Sequence, residues 1–168
     1  MKETNAMSMT FQELPEVLTS VQTRPLFWLR ETVPLLYVVG ATPDAFRRVG
    51  MVVAGSLEGE RLSGIVVSGN DWQSVRRDNC SKLDARRFVK RTDDALIVMT
   101  YQCLRAGTSG VMEQLDRGQA VDPASYYFCF AALFETGDPR YDWINRIVTI
   151  GVRSRLADGP LYNVFEVL

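Results

Sequence analysis

The stretch GSLEGERLSGIVVSGNDWQSVRRDNCSKLDARRFVKRTDDALIVMTYQCLRAG, residues 55–107, decides the fold. It contains several extended segments separated by short turns, and its charged residues often alternate with apolar ones. Two-residue alternation is the period of a β-strand whose two faces differ. Asp84 and Arg86 share one face with Phe88, and the other face carries Leu83, Ala85 and Val89. A charged strand face usually lies in water, but in a closed antiparallel barrel it can line a cavity.

Working outward from this stretch, run lengths and turn residues predict strands over 25–33, 46–57, 61–67, 72–76, 82–90, 95–105, 124–135, 146–153 and 161–167. A tight turn is expected at 68–71, a hairpin turn at 92–94, and one internal helix over 109–117. The predicted fold is therefore all-β and mostly antiparallel: a closed or nearly closed β-barrel of about 8–10 strands with one or two short helices.

One β-barrel domain is expected over residues 24–168, preceded by an N-terminal tail and short helix over residues 1–23. Residues 1–8 are predicted to be disordered. Apolar residues at positions 11, 14, 17, 18 and 21 have helical spacing, and Pro15 within them keeps the helix short. This segment is either a lid or plug on one barrel end, or a tail.

The composition excludes several classes of partner. The chain has 168 residues, 46% of them hydrophobic, and a formal net charge of −1, so it offers no electrostatic footprint for nucleic acid. No apolar run approaches the roughly 20 residues that span a bilayer, and the first residues lack the apolar centre of a signal peptide. The sequence predicts a cytoplasmic protein that binds neither nucleic acid nor membranes.

The chain has no histidine and only three cysteines, which are widely spaced. Ser–His and Cys–His nucleophilic sites are therefore excluded within one chain, as are histidine-based zinc and iron sites. No pair of cysteines has metal-ligand spacing, and neither phosphate loops nor dinucleotide motifs occur. We expect no metal and no cofactor, so that proton transfer falls to carboxylates, tyrosine, lysine, cysteine or water.

A set of spaced motifs resembles the DUF3237 (UPF0311) family over roughly residues 24–168. The motifs are RLSG from Arg61, Asp71–Trp72, Arg76, Asp78, Leu83–Asp84, Arg86, Thr92–Asp93–Asp94, Ala95–Ile97, YYF from Tyr126, FETG from Phe134, Pro139–Arg140–Tyr141, Trp143 and Asn145–Arg146. The resemblance implies a small all-β barrel with a polar-lined interior, and it specifies fold far more closely than function.

Polar residues at strand positions that are eligible to face inward give the candidate site. The predicted catalytic residues are Asp84 or Glu135 as general base, Tyr101 or Tyr127 as acid, and Arg86 as the group that holds an oxyanion. The predicted substrate-binding residues are Trp72, Phe88, Arg105, Asn145 and Arg146. In the alternative interpretation, Asp84–Arg86 and Glu135–Arg146 are ion pairs that fix strand register, and Trp72 caps the barrel.

Three functions remain open. The first is a cofactor-independent acid/base enzyme of isomerase, cyclase or lyase type, acting on a small apolar or aromatic oxygenated molecule inside the barrel. The second is a lipocalin-like binding protein without catalysis. The third is a structural homodimer with a filled barrel, in which the first strand and residues 34–37 suit a subunit contact. A cavity of about 300 Å³ or more would favour the first two.

Overall fold

A computed structural model describes residues 10–156 and 159–168, which form ten antiparallel strands and one α-helix. The strands are β1 Thr23–Thr32, β2 Leu35–Ala41, β3 Phe46–Val52, β4 Ala54–Glu58, β5 Gly64–Val75, β6 Ser81–Lys90, β7 Leu96–Gly107, β8 Tyr126–Glu135, β9 Thr149–Leu156 and β10 Gly159–Val167. Helix α1 is Ser109–Asp116, and 3-10 turns occupy Phe11–Glu13, Glu16–Leu18, Pro123–Ser125 and Pro139–Arg146.

Eight of the strands close into a barrel. The order around the ring is β5-β4-β1-β10-β9-β8-β7-β6, and pairing between β6 and β5 closes it. Strand β3 pairs with the second half of β5, where β4 pairs with the first half, and β2 pairs with β3. The predicted closed all-β barrel is therefore confirmed, and β2–β3 is a hairpin that extends the wall at one end.

Strand β5 differs from the sequence prediction. The expected tight turn at 68–71 is absent: β5 runs without interruption from Gly64 to Val75, and its pairing with β6 shifts register between Val66 and Ser68. Such an irregularity adds one residue to a strand and reverses which residues face inward beyond it. In a regular strand Val66 and Asp71 would lie on opposite faces, but because of the irregularity both are buried.

The interior of the barrel is built from inward-facing aliphatic and aromatic side chains. Alternation is regular in β6 and β8, where every second residue is buried. The buried members include Leu29, Leu83, Ile97, Met99, Phe130, Phe134 and Val164. Burial of these apolar side chains is the main force that holds the ring together.

The N-terminal segment takes the form of two 3-10 turns in place of the predicted helix. None of its residues in the described part is buried, and Phe11, Val17, Leu18 and Val21 are all exposed. The segment does not plug the barrel in this arrangement. The predicted disorder of residues 1–8 falls outside the described residues. The apolar residues of β2 are also exposed, and the subunit contact expected around 34–37 stays a prediction.

Gly151 in β9 packs tightly against an aromatic ring inside the barrel, and Ala at this position is expected to destabilise the protein. It pairs with Phe130 across β8 and β9, and a Cβ at Gly151 would lie 2.1–2.8 Å from three atoms of that ring. Overpacking a core by one methyl group costs typically about 1–3 kcal/mol. We therefore expect Gly151→Ala to lower the free energy of unfolding by about that amount, measured in urea.

Gly110 offers the matched control for this experiment. A Cβ there would meet no atom within 4 Å, and the residue lies in the first turn of α1. Ala is the better helix former, so Gly110→Ala is expected to raise stability by about 0.4–1 kcal/mol. Equal effects of the two substitutions would contradict the tight contact between Gly151 and Phe130.

Candidate active site inside the barrel

A buried network of charged and phenolic side chains lies at the centre of the barrel. The Arg87 guanidinium donates to both carboxylate oxygens of Glu31, with Nη2 3.0 Å from Oε2, and Nη2 also lies 2.7 Å from Oδ1 of Asp71. Tyr101 receives a hydrogen bond from Arg87 (2.6 Å) and donates to Asp71 (3.2 Å). Tyr162 donates to Glu31 (2.7 Å). The network is a buried double ion pair with two phenols.

The residues of the network come from five strands, and each lies on the inward face of its strand. In β1 the register with β10 shifts between Pro25 and Phe27, so that Phe27, Leu29 and Glu31 face inward. The irregularity in β5 turns Asp71 inward, and Arg87 belongs to the buried face of β6. Such charges are tolerated in an apolar interior only when they are paired and hydrogen-bonded, a condition that the network meets.

Arg153 in β9 lies beside the network but makes far weaker contacts. Its guanidinium lies 4.0 Å from the ring centre of Phe128 and 4.5 Å from that of Tyr162. Its polar neighbours are distant: Nη1 is 3.9 Å from Sγ of Cys103, and Nη2 is 3.9 Å from Oδ2 of Asp71. Only 8% of Arg153 is exposed. Arg153 is thus a buried cation that stacks on aromatic rings.

One end of the barrel holds a cavity of about 70 Å³ that reaches Asp71 and Arg153. Helix α1 borders this end, where Asp116 accepts hydrogen bonds from Arg48 (2.8 Å) and Arg105 (3.2 Å). The lining residues come from β2, β3 and β5–β10, the helix and the β1–β2 connection: Val33, Leu36, Arg48, Asp71, Gln73, Leu83, Arg105, Leu115, Asp116, Phe128, Arg153, Arg155 and Pro160. Its lining combines charged and apolar side chains, and its volume is smaller than the roughly 300 Å³ that would favour a ligand-binding interior.

Burial and charge shift the pKa values of the interior groups in opposite directions. Burial raises the pKa values of the Tyr101 and Tyr162 hydroxyls well above the ordinary value, so both phenols stay protonated at neutral pH. Burial alone would raise the pKa of Asp71, but the charges of Arg87 and Arg153 outweigh it and hold this pKa below its usual range. Asp71 is therefore a carboxylate in the folded protein.

Most of the predicted site residues lie outside the barrel. Asp84, Arg86 and Phe88 occupy the outer face of β6, and Tyr127 and Glu135 occupy the outer face of β8. Their expected interior positions are wrong. The physical reason is that the apolar face of each strand is the one that faces inward, because burying a row of charges costs far more than exposing it.

Trp72, Asn145 and Arg146 also lie on the surface. Trp72 is 47% exposed and faces outward because its neighbour Asp71 faces inward. Asn145 closes a loop by bonding the backbone of Thr136, and Arg146 pairs with Asp142 rather than with Glu135. The ion pairs expected between Asp84 and Arg86 and between Glu135 and Arg146 do not form among the described residues.

Two predicted residues, Tyr101 and Arg105, lie inside, Tyr101 in the network and Arg105 at the cavity. Sequence reasoning missed the other interior polar groups: Glu31, Asp71, Arg87, Arg153 and Tyr162. The sequence does indicate that Arg87 is buried, because Arg87 lies on the same strand face as Leu83, Ala85 and Val89. An isolated charge on an otherwise apolar strand face indicates a buried, partnered group.

The fold and this interior define a small antiparallel barrel with a buried ion-pair network at its centre. A family model described as "Protein of unknown function (DUF3237)" matches residues 22–167, and the chain belongs to this family. A UPF0311 protein of Rhodopseudomonas palustris is 29% identical over 150 residues, covering 89% of this chain and 98% of the relative. A UPF0311 protein of Bradyrhizobium diazoefficiens is 25% identical over 149 residues, with the same coverages of 89% and 98%.

Solved structures agree with the fold. The crystal structure of a Rhodopseudomonas palustris protein superposes with a TM-score of 0.83 at 29% identity, covering 89% of this chain and 98% of the other. A β-barrel-like protein from Acinetobacter baumannii gives 0.77 at 32% identity, covering 89% and 97%. A protein described as an enzyme from Penicillium herquei gives 0.70 at 19% identity, covering 92% and 100%, and shares the fold alone.

Two absences among residues 10–156 and 159–168 bear on the class of site. These residues include no helix with the length and apolar character needed to cross a membrane. They also contain no group of three or more histidine, cysteine, aspartate or glutamate side chains arranged to hold a metal ion.

Proposed function

We propose that this protein is a cofactor-independent acid/base enzyme of isomerase, cyclase or lyase type, which acts on a small oxygenated molecule at the barrel-end cavity. The observation that carries the proposal is the position of Asp71. Its Oδ1 is held by Arg87 and Tyr101, whereas Oδ2 accepts no hydrogen bond from the described residues and has Arg153 as a long ion-pair partner at 3.9 Å; Asp71 also lines the cavity. A fixed carboxylate with one oxygen that makes no hydrogen bond, at a cavity, is the arrangement that a general base requires.

The chemistry follows from the groups around Asp71. A substrate proton next to a carbonyl, or on a hydroxyl, passes to Asp71 Oδ2, and the electron pair moves onto the substrate oxygen. Nη2 of Arg153 lies 3.9 Å from Oδ2 of Asp71. In the proposed reaction, the Arg153 guanidinium stabilises the substrate oxygen as negative charge develops on it. In an isomerisation the proton returns to a different atom of the substrate. In a ring closure the deprotonated hydroxyl oxygen bonds to an unsaturated carbon conjugated to a carbonyl of the same molecule, the carbon–carbon π bond breaks to give an enolate, and the proton returns to that enolate. In a lyase step the enolate expels an oxygen substituent from the next carbon, and that substituent takes the proton. None of these reaction steps requires an oxidant or a reductant.

The size of the cavity limits what enters it. About 70 Å³ holds only the reacting head of a molecule, so the body of the substrate extends out of the cavity past Leu36, a lining residue that is 49% exposed. The proposed substrate is therefore small, with an oxygen-bearing polar end and an apolar remainder. The Penicillium herquei protein, which is described as an enzyme and has the same fold, supports the proposal that such a barrel can carry out catalysis.

A binding protein without turnover is the second candidate. The lowered pKa of Asp71 favours it, because a carboxylate stabilised by two guanidinium groups is a weak base. Binding alone uses the same cavity, with Arg153 and Asp71 orienting the ligand.

The experiment begins with mass spectrometry of small molecules released from the denatured, freshly purified protein. Compounds identified in this way, and their isomers, are then incubated with the wild type. We expect conversion, and we expect Asp71→Asn to lower its rate about 10²–10⁴-fold, since that is the range for removing a general base. Asp84→Asn makes the same change on the outer face of β6 and is expected to keep the wild-type rate.

Two outcomes decide against this assignment. If the bound compounds are never converted, the protein binds a small molecule without catalysis, and the second candidate function is the correct one. Full turnover by Asp71→Asn would remove Asp71 as the base even if the protein is an enzyme.

A further inference from the structure

We infer that the barrel-end cavity binds the carboxylate group of a small organic acid, held between Arg105 and Arg153. This deepens the proposed function and rests on it for the location of the ligand. Three observations on the cavity carry the inference: its balance of charge, two unpaired guanidinium nitrogens and its size.

The charges around the cavity do not balance. Four of its lining residues are arginines (Arg48, Arg105, Arg153 and Arg155) and two are aspartates (Asp71 and Asp116), which leaves two positive charges in excess. Asp71 also forms an ion pair with Arg87, which does not line the cavity, so part of its negative charge is already neutralised. A surplus of positive charge in a space with little water is costly, and an anion bound there removes part of the cost.

Two of these arginines have an unpaired nitrogen. The Nε atoms of Arg105 and Arg153 are both buried and make no hydrogen bond within residues 10–156 and 159–168. Of the remaining nitrogens of Arg105, Nη2 contacts Asp116 at 3.2 Å and Ser81 at 3.5 Å. Arg105 is 6% exposed and Arg153 is 8% exposed, so bulk water does not serve these donors. Buried donors without partners point to an acceptor that comes from a ligand.

The pKa of Arg105 agrees with an excess of positive charge at the cavity. Burial lowers the pKa of Arg105 to about 10, and Asp116 opposes this shift only in part, while Arg48, Arg153 and Arg155 add to it. A bound carboxylate would act in the opposite direction by pairing with the charged form.

Size and shape select a carboxylate among the common anions. A volume of about 70 Å³ accommodates a flat three-atom group, and the planar guanidinium fork matches the two oxygens of a carboxylate. The apolar part of the acid then lies against the apolar lining residues Leu36, Leu115 and Pro160. Asp71 Oδ2 lies 3.9 Å from Nη2 of Arg153, which places the proposed base near the bound acid.

The test measures binding by the full-length protein without reference to turnover. Isothermal titration and thermal unfolding are carried out with benzoate, with benzamide as its uncharged equivalent, and with inorganic phosphate. We expect saturable binding and a raised unfolding temperature with benzoate, and neither with benzamide or phosphate. We expect Arg153→Met to weaken benzoate binding at least about tenfold, because it removes a charge-assisted hydrogen bond. Arg86→Met makes the same change on the outer face of β6 and is expected to bind as the wild type does.

Further variants keep the test decisive. If Arg153→Met does not fold, Arg153→Lys retains the charge but loses Nε, and the same weakening is expected. Asp71→Asn removes a negative charge beside the cavity and is expected to bind benzoate more tightly while it loses turnover. Equal binding of benzoate and benzamide, or equal effects of Arg153→Met and Arg86→Met, would overturn the inference. A converted substrate without an acid group would overturn it too, yet leave the proposed function standing.

Discussion

Arg87→Met is expected to lower the free energy of unfolding by about 3–5 kcal/mol, the range found when one partner of a buried ion pair is removed. Arg87 is 1% exposed and Glu31 is 1% exposed, so neither the cation nor its main partner is screened by water. Without the guanidinium, the carboxylates of Glu31 and Asp71 face each other in an apolar interior. Urea unfolding of the variant and the wild type measures the difference.

Arg86→Met is the matched control for this prediction. Its side chain is exposed on the outer face of β6, one residue from Arg87, and a surface substitution of this kind changes stability by about 0.5 kcal/mol or less. Similar losses for the two variants would show that Arg87 is not the centre of a buried network. A second substitution, Glu31→Gln, in the Arg87→Met background is expected to recover part of the loss, because it removes one of the uncompensated charges.

The effect of Arg87→Met depends on pH, and Asp71 gives its sign. In the wild type the pKa of Asp71 lies below its unfolded value, so its contribution to stability is present above that value and is lost as pH falls through the folded pKa. In the variant, burial without Arg87 favours the protonated acid. The gap in stability between wild type and variant is therefore expected to be larger at pH 7 than at pH 4.

The ring of strands could be predicted from the sequence because it depends on local patterns. The hairpin of β6 and β7 follows from two alternating runs around Thr92–Asp94, and α1 follows from an apolar stripe that ends near Gly118. Turn residues and two-residue alternation are properties of neighbouring positions, so they are visible in one sequence.

The inward or outward phase of individual strands was harder to predict, for two physical reasons. Strand irregularities reverse the phase without a clear signal, as in β5, where Asp71 rather than Trp72 faces inward. A polar strand face also suggests a polar interior, although the cost of burying charge favours the opposite arrangement. The interior of this barrel is mostly apolar, and the charges at its centre, Glu31, Asp71 and Arg87, are paired across the ring.

Strand β8 shows how the apolar face identifies the interior. Tyr126, Phe128, Phe130 and Phe134 share one phase and are buried, which places Tyr127 and Glu135 outside. The partners of interior charges cannot be found in the same way. Glu31 and Arg87 are 56 positions apart, and Tyr162 and Glu31 are 131 apart, so only closure of the barrel joins them.

Phe130→Ala is expected to lower the free energy of unfolding by about 3–5 kcal/mol, as a large-to-small change in a well-packed core. Phe130 is buried, and its ring centre lies 5.0 Å from that of Tyr101 and 5.7 Å from that of Tyr162. Leu133→Ala on the outer face of the same strand, where the side chain is 58% exposed, is expected to cost far less. Urea unfolding compares the two, and similar losses would contradict the inward position of Phe130.

Phe130→Ala leaves a cavity beside the buried hydroxyl groups of Tyr101 and Tyr162. The same variant therefore also tests the protonation of the network. Burial raises the pKa of Tyr162, and a void with a polar wall admits water. We expect the pKa of Tyr162 in Phe130→Ala to fall towards its ordinary value, followed by ultraviolet absorbance of tyrosine as pH rises. Gly151→Ala should be less damaging in this background than in the wild type, because its methyl group then enters space left by the ring. Strictly additive losses would show that the two residues do not meet.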